Sequence, residues 1–126
     1  MTRRILADDA PAPKGAYCHG VVAAGPTLYC SAQIGVDPST GTLAEGVAAQ
    51  AAQALANLEA ICVAAGGRLA DATRLTLYLK DFADMQAANS AFVDVFGDAP
   101  PARSTLIAAD LVGGASVGID AIVALD

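Results

Sequence analysis

Five side chains are equipped for polar chemistry within an otherwise apolar sequence: Arg103, Asp120, Tyr17, His19 and Ser31. Arg103 follows Pro100-Pro101-Ala102, opens an apolar run, and is the last basic residue of the chain. Arginine is always charged, and its planar fork matches a carboxylate bidentately. If it points inward it needs a partner, because an unpaired buried charge is costly. The functional reading is a receptor for a small organic acid; the plain one is a structural salt bridge or a surface arginine. Asp120 lies between Ile119 and Ala121, and Arg103 on a neighbouring strand is a candidate donor to it. Otherwise it is a solvated outward acid, since a carboxylate does catalytic work only with a positioned partner. Tyr17, His19 and Ser31, each taken alone, read more readily as hydrogen-bonded structural residues. His19 is a candidate base, yet no carboxylate or nucleophile stands at a motif spacing from it. There is no P-loop and no dinucleotide fingerprint.

The elements that must position these residues follow from periodicity. Residues 1–6 predict a short strand, followed by the loop DDAPAPKGA. YCHGVVAAG and TLYCSAQIG are β-rich runs separated by Gly25-Pro26, which predicts a hairpin. VDPSTG is a turn, and Thr42 with Glu45 matches a capping box, so a helix is expected next. Val47, Ala51, Ala54, Leu55, Leu58, Ile61 and Cys62 form its apolar stripe, and Gly66-Gly67 ends it. Leu75, Leu77 and Leu79 alternate with Arg74, Thr76, Tyr78 and Lys80, as in a half-buried strand. Asp81 is placed to cap a second helix with the stripe Phe82, Met85, Asn89, Phe92 and Phe96. Two strands remain, about 103–109 and 117–125. The order β-β-β-α-β-α-β-β predicts one α+β domain over residues 1–126, a mixed sheet with two helices on one face.

Composition bounds the rest. Hydrophobic residues make up 55% and charged residues 16% of the 126, against about 25% charged in ordinary soluble chains. Little polar material is left to cover a monomer, which predicts a homo-oligomer. With 7 basic and 13 acidic residues the net charge is −6, and no basic stripe exists to neutralise phosphates. Nucleic acid is therefore not an expected partner. No stretch reads as a signal peptide or as long enough to span a bilayer. Cys18, Cys30 and Cys62 lack C-x-x-C spacing and read as buried thiols. Neither a disulfide framework nor a metal site is expected, and a cytoplasmic location fits.

The motifs, in order, resemble the RidA/YjgF family of imine and enamine deaminases, a part of the endoribonuclease L-PSP superfamily. PPARSTLIAADLVGGASVGIDAIV is similar to its C-terminal signature, P-x-R-S, an apolar strand, then L-P-x-G-A-x-V-E-I-E-A-I-A. GAYCHGV, CSAQIGVDPSTG, QALANLEAICVAAGG and LYLKDFADMQAANSAF resemble its other blocks, so the likeness runs from about residue 8 to 125.

The resemblance implies a chorismate-mutase-like fold in a barrel-shaped homotrimer, with sites in the clefts between subunits. It implies hydrolysis of reactive 2-imino acids to 2-oxo acids and ammonia, without cofactor or metal. Carried over by position, Arg103 holds the substrate carboxylate and the Thr105 backbone contacts substrate. Tyr17, Ser31 and Asn89 line the pocket, some of them from the adjacent subunit. Ala16, Ala32, Thr105 and Val112 depart from the usual residues. The chief departure is Gly118, which stands where the family has the glutamate that positions water. Asp120 takes the second acidic position, about 6.5–7 Å along the same strand face. The expected function is an imine deaminase in which Asp120, Tyr17 or His19 assists the water. The alternative is a non-catalytic trimeric binder of small carboxylates, or a chaperone-like relative. Family members described as ribonucleases or translation inhibitors need a basic surface that this chain lacks.

Overall fold

The computed structural model describes residues 2–126. Six strands and two helices follow the predicted order: β1 Thr2–Ile5, β2 Gly20–Ala23, β3 Thr27–Ile34, α1 Val47–Ala64, β4 Ala72–Leu79, α2 Met85–Phe96, β5 Ala102–Ile107 and β6 Val117–Ala124. The main sheet runs β3-β6-β4-β5, with β4 and β5 parallel and the other pairs antiparallel. α2 is the crossover between the two parallel strands. That topology puts β5, and Arg103 with it, under the second helix.

The core lies between the sheet and the helices. Leu75, Leu77 and Leu79 are fully buried, as their alternation predicts. From α1 they meet Ala51, Ala54, Leu55, Leu58 and Cys62, with Val47 and Ile61 at the margin. Truncating a leucine here to alanine would cost about 2–5 kcal/mol. The small residues of α1 allow a close approach to the sheet. At Gly35, just past β3, a Cβ would stand 2.5 Å from Cα and O of Gln50, so backbone packs on backbone. Gln50 is buried at this junction, where its Oε1 accepts from Ser116 N at 2.8 Å.

Four expectations are corrected. β2 and β3 do not form a hairpin: β2 pairs with β1, and β3 pairs with β6. Gly25-Pro26 is a corner, where Pro26 O accepts from Leu125 N at 2.9 Å. The β1–β2 ribbon joins the main sheet through a parallel bridge, Cys18 to Ala102. Thr42 and Glu45 do not box the start of α1. Gly46 precedes the helix at φ 87° without a side-chain cap, while the Thr42 hydroxyl meets Thr40 Oγ1 at 2.6 Å. Phe82 is 69% exposed rather than part of the core stripe, because residues 82–84 form a 3-10 turn ahead of α2. Asp81 does cap that turn, its Oδ1 accepting from Ala83 N at 2.9 Å. Lastly, α1 spans 18 residues and is long and apolar enough to cross a bilayer by length and composition. Its stripe packs on the sheet instead.

Candidate active site

Arg103 pairs with Leu75 in the parallel β4–β5 register. Paired residues share a sheet face, so the guanidinium projects toward the helices. Its Nη1 donates to Asn89 Oδ1 at 2.9 Å. Its central carbon lies 5.2 Å from the Tyr17 ring centroid and 5.1 Å from that of Phe92. Two aromatic faces and one amide oxygen therefore stand where a carboxylate would be expected. Burial pushes the guanidinium below its ordinary value. The Nε atom is buried and has no hydrogen-bond acceptor. An orphaned donor of this kind costs about 1–3 kcal/mol.

The loop before β2 is built around this group. Asn89 Oδ1 also accepts from Ala16 N at 2.9 Å. At Gly15 a Cβ would lie 2.9 Å from Asn89 Oδ1 and 3.0 Å from Arg103 Nη2, so glycine lets the loop close over the charge. The Tyr17 hydroxyl accepts from Lys14 N at 3.3 Å, folding the loop back on its own ring. Cys18 N then donates to Pro101 O at 3.1 Å, fixing the loop to the start of β5.

Tyr17, Asn89, Arg103 and Thr105 line one cavity of about 710 Å³. Lys14, Phe82, Met85 and Gln86 complete much of its wall, and no Asp or Glu lines it among the described residues. These four were not singled out by sequence. Phe82 and Met85 carried only a helical-stripe signal, and Lys14 sits in a loop without periodicity.

Ser31 and Asp120 lie elsewhere in the chain. Ser31 is exposed, at a β-bulge between Cys30 and Gln33 of β3. Asp120 pairs with Thr76, on the sheet face opposite Arg103. The expected Arg103–Asp120 contact is therefore not made: β4 separates their strands and the two side chains leave opposite faces. Asp120 Oδ2 instead accepts from the Tyr78 hydroxyl at 2.9 Å. That bond, more than burial, raises the Tyr78 phenol above its ordinary value. Gly118 lies on the same face as Asp120, and a Cβ there would meet Gln33 O and Ile34 Cγ2 at an ordinary 3.8 Å.

His19 is a clasp. Its Nδ1 accepts from Ala7 N at 2.8 Å and its Nε2 lies 2.7 Å from Pro11 O. With Nδ1 accepting, Nε2 must carry the proton, and neither nitrogen is free to act on a substrate. Gly114-Ala115-Ser116-Val117-Gly118 spells G-x-S-x-G, but it leads into β6 rather than from a strand into a helix, so it is not a nucleophile elbow. Cys30 and Cys62 contact each other between β3 and α1, and burial pushes the Cys62 thiol up to about 12.

Comparison with known proteins identifies the family. The profile of the family described as endoribonuclease L-PSP matches residues 7–125. The chain is 40% identical over 125 residues to the 2-iminobutanoate/2-iminopropanoate deaminase of Salmonella typhimurium, covering 97% of each chain. It is 38% identical to the deaminase of the same name from Escherichia coli K12, again over 97% of each. The crystal structure of RidA from an Antarctic Psychrobacter species superposes with a TM-score of 0.77 at 40% identity, covering 98% of this chain and 99% of that one. The α+β fold, with two helices on a mixed sheet, is that of the RidA structures. On these grounds the chain belongs to the endoribonuclease L-PSP family, the RidA/YjgF family that its sequence motifs resemble.

Proposed function

We propose that this protein hydrolyses reactive 2-imino acids to 2-oxo acids and ammonia, with Arg103 binding the substrate carboxylate. The observation that carries the reading is a half-buried guanidinium whose buried Nε lacks an acceptor and which has no acid partner, in the wall of a cavity lined by no carboxylate among the described residues. An anionic ligand supplies what that group lacks. The names of relatives at about 40% identity give the reaction class.

The chemistry asks little of the protein. A protonated imine is electrophilic, and water adds to its carbon; the resulting carbinolamine collapses to the carbonyl and releases ammonia. Catalysis is then mainly orientation of one acid and one water. Arg103 fixes the carboxylate, Asn89 and the aromatic faces fix Arg103, and the Thr105 backbone bounds the reacting carbon. In this reading the Tyr17 hydroxyl, which lines the cavity with Gln86 and Thr105, holds the water. No cofactor is needed for this reaction.

The active unit in this reading is a homotrimer. The sheet face opposite the helices carries Tyr29 at 75% and Leu106 at 49% exposure, an apolar surface that association would cover. Ser31 and Asp120, remote from Arg103 within one protomer, would then serve a neighbour's cavity. One specific observation favours the second reading, a carboxylate binder without turnover. Gly118 supplies no acid, and the nearest carboxylate on its strand face is engaged by Tyr78.

A coupled assay tests both. A dehydratase generates 2-iminopropanoate or 2-iminobutanoate, and 2-oxo acid release is timed with the protein and with Arg103→Ala. Acceleration lost in the variant supports the deaminase. Arg103-dependent binding of 2-oxobutanoate without acceleration supports the binder. Acceleration that survives in Arg103→Ala would sink both readings.

A further inference from the structure

We propose that Lys14 makes this site selective for 2-imino dicarboxylates of four or five carbons, such as 2-iminosuccinate, by binding the second carboxylate. The inference rests on the reading of Arg103 as the anchor for the first.

Two of the seven basic residues line the cavity, in a chain of net charge −6. Most of the others have partners elsewhere. Arg68 pairs with Asp71 at 3.0 Å and Lys80 with Asp110 at 3.2 Å. Arg4 donates to Pro100 O and Arg74 to Ser104 Oγ. The Lys14 ammonium is paired with no carboxylate among the described residues, and no acid lines the cavity to neutralise it. An acidic protein that gathers two unneutralised cations around one cavity suits a ligand with two negative groups.

The placement is fixed through the backbone. Lys14 N is tied to the Tyr17 hydroxyl, whose ring lies against Arg103. At the next residue, Gly15, a Cβ would lie 3.0 Å from Arg103 Nη2, and Ala16 N is held by Asn89. The root of the Lys14 side chain is thus held one residue from the guanidinium. Its four-carbon stem gives the ammonium the reach of a distal carboxylate, while Phe82 and Met85 bound the intervening methylenes. Hydrolysis itself is unchanged: water adds across C=N, the C–N bond breaks, and ammonia leaves with a 2-oxo dicarboxylate. No oxidant or reductant enters.

The test compares two imines made in situ, 2-iminosuccinate from L-aspartate and 2-iminopropanoate from L-alanine by amino-acid oxidases. Binding of 2-oxoglutarate and 2-oxobutanoate is measured alongside by calorimetry. Lys14 is exposed, so Lys14→Met and Lys14→Glu should fold. The expected result is tighter binding of 2-oxoglutarate than of 2-oxobutanoate. Lys14→Met should lower the dicarboxylate-to-monocarboxylate ratio about three- to tenfold, as loss of a partly screened ion pair does. Lys14→Glu should lower it further, and added salt should shrink the wild-type ratio. A ratio unaffected by Lys14→Met, with Arg103→Ala still abolishing both substrates, overturns the role of Lys14 alone. If neither imine is accelerated, the calorimetric ratio still decides for or against Lys14. Binding indifferent to Arg103→Ala removes the anchor and this inference together.

Discussion

Asn89 grips Arg103 through the same oxygen that holds the pocket loop: its Oδ1 accepts from Arg103 Nη1 and from Ala16 N, each at 2.9 Å. One amide thus sets both the direction of the charge and the position of the segment that closes over it. Being neutral, it orients the guanidinium without cancelling its charge.

Asn89→Asp separates those two effects. The carboxylate keeps both acceptor bonds but neutralises Arg103, so thermal stability should hold or rise. Carboxylate affinity should fall about tenfold or more, as a built-in anion competes with the ligand. Asn89→Ala strands two donors and should lose about 1–3 kcal/mol of stability. Thermal melts with and without 2-oxobutanoate read both outcomes.

Replacing Arg103 with Met should leave the empty protein as stable as wild type, or more stable by about 1 kcal/mol, since apolar replacements of buried charge are often neutral or favourable. Arg103→Lys keeps the charge but not the fork. Its kcat/KM should fall about a hundredfold, as expected where a bidentate contact becomes a point charge. Denaturant titration checks the first variant and steady-state kinetics the second.

Gly15→Ala places a methyl 2.9 Å from Asn89 Oδ1 and 3.0 Å from Arg103 Nη2. Since Gly15 has no left-handed backbone angle, the effect should fall on the site and not on the turn. KM should rise several-fold, about what a contact shifted by a few tenths of an ångström costs, with little change in Tm.

At buried Gly118 a Cβ meets neighbours only at 3.8 Å, so the first carbon of a Gly118→Glu side chain is accommodated. If hydrolysis is limited by the absent acid, kcat should rise about tenfold or more, the lower range of what a placed acid or base supplies. Unchanged turnover would favour the binding reading.

The Tyr78–Asp120 bond predicts an alkaline signature. The folded phenol sits above its unfolded value because its proton is donated to Asp120. Its contribution is therefore fully present below the ordinary tyrosine value of about 10 and is lost as pH rises through the raised folded value. Tyr78→Phe should cost about 0.5–1 kcal/mol at neutral pH for this half-exposed pair. The gap from wild type should close in strongly alkaline buffer.

Much of this was legible in the residues. The β4 leucines and the α1 stripe need only local periodicity, and both appear where expected. Arg103 stood out because two prolines and an apolar run left it no local partner. Strand pairing was not legible: Gly25-Pro26 carries the composition of a hairpin, but β2 finds β1 and β3 finds β6 across long loops. The capping box failed because Gly46, with its positive φ, takes over the start of α1. Lys14 and Phe82 reach the cavity only once the crossover and the loop before β2 are in place. Asp120 shows the same limit, since alternation gives its face but not which face Arg103 takes.

The imidazole clasp offers a consequence for spectroscopy. Because His19 is the sole histidine, nitrogen-15 labelling yields a single ring spin system, whose shifts report the Nε2–H tautomer without assignment. Two residues along the backbone is Tyr17, so titrating ligands into the labelled sample turns that one resonance pair into an intrinsic sensor of occupancy.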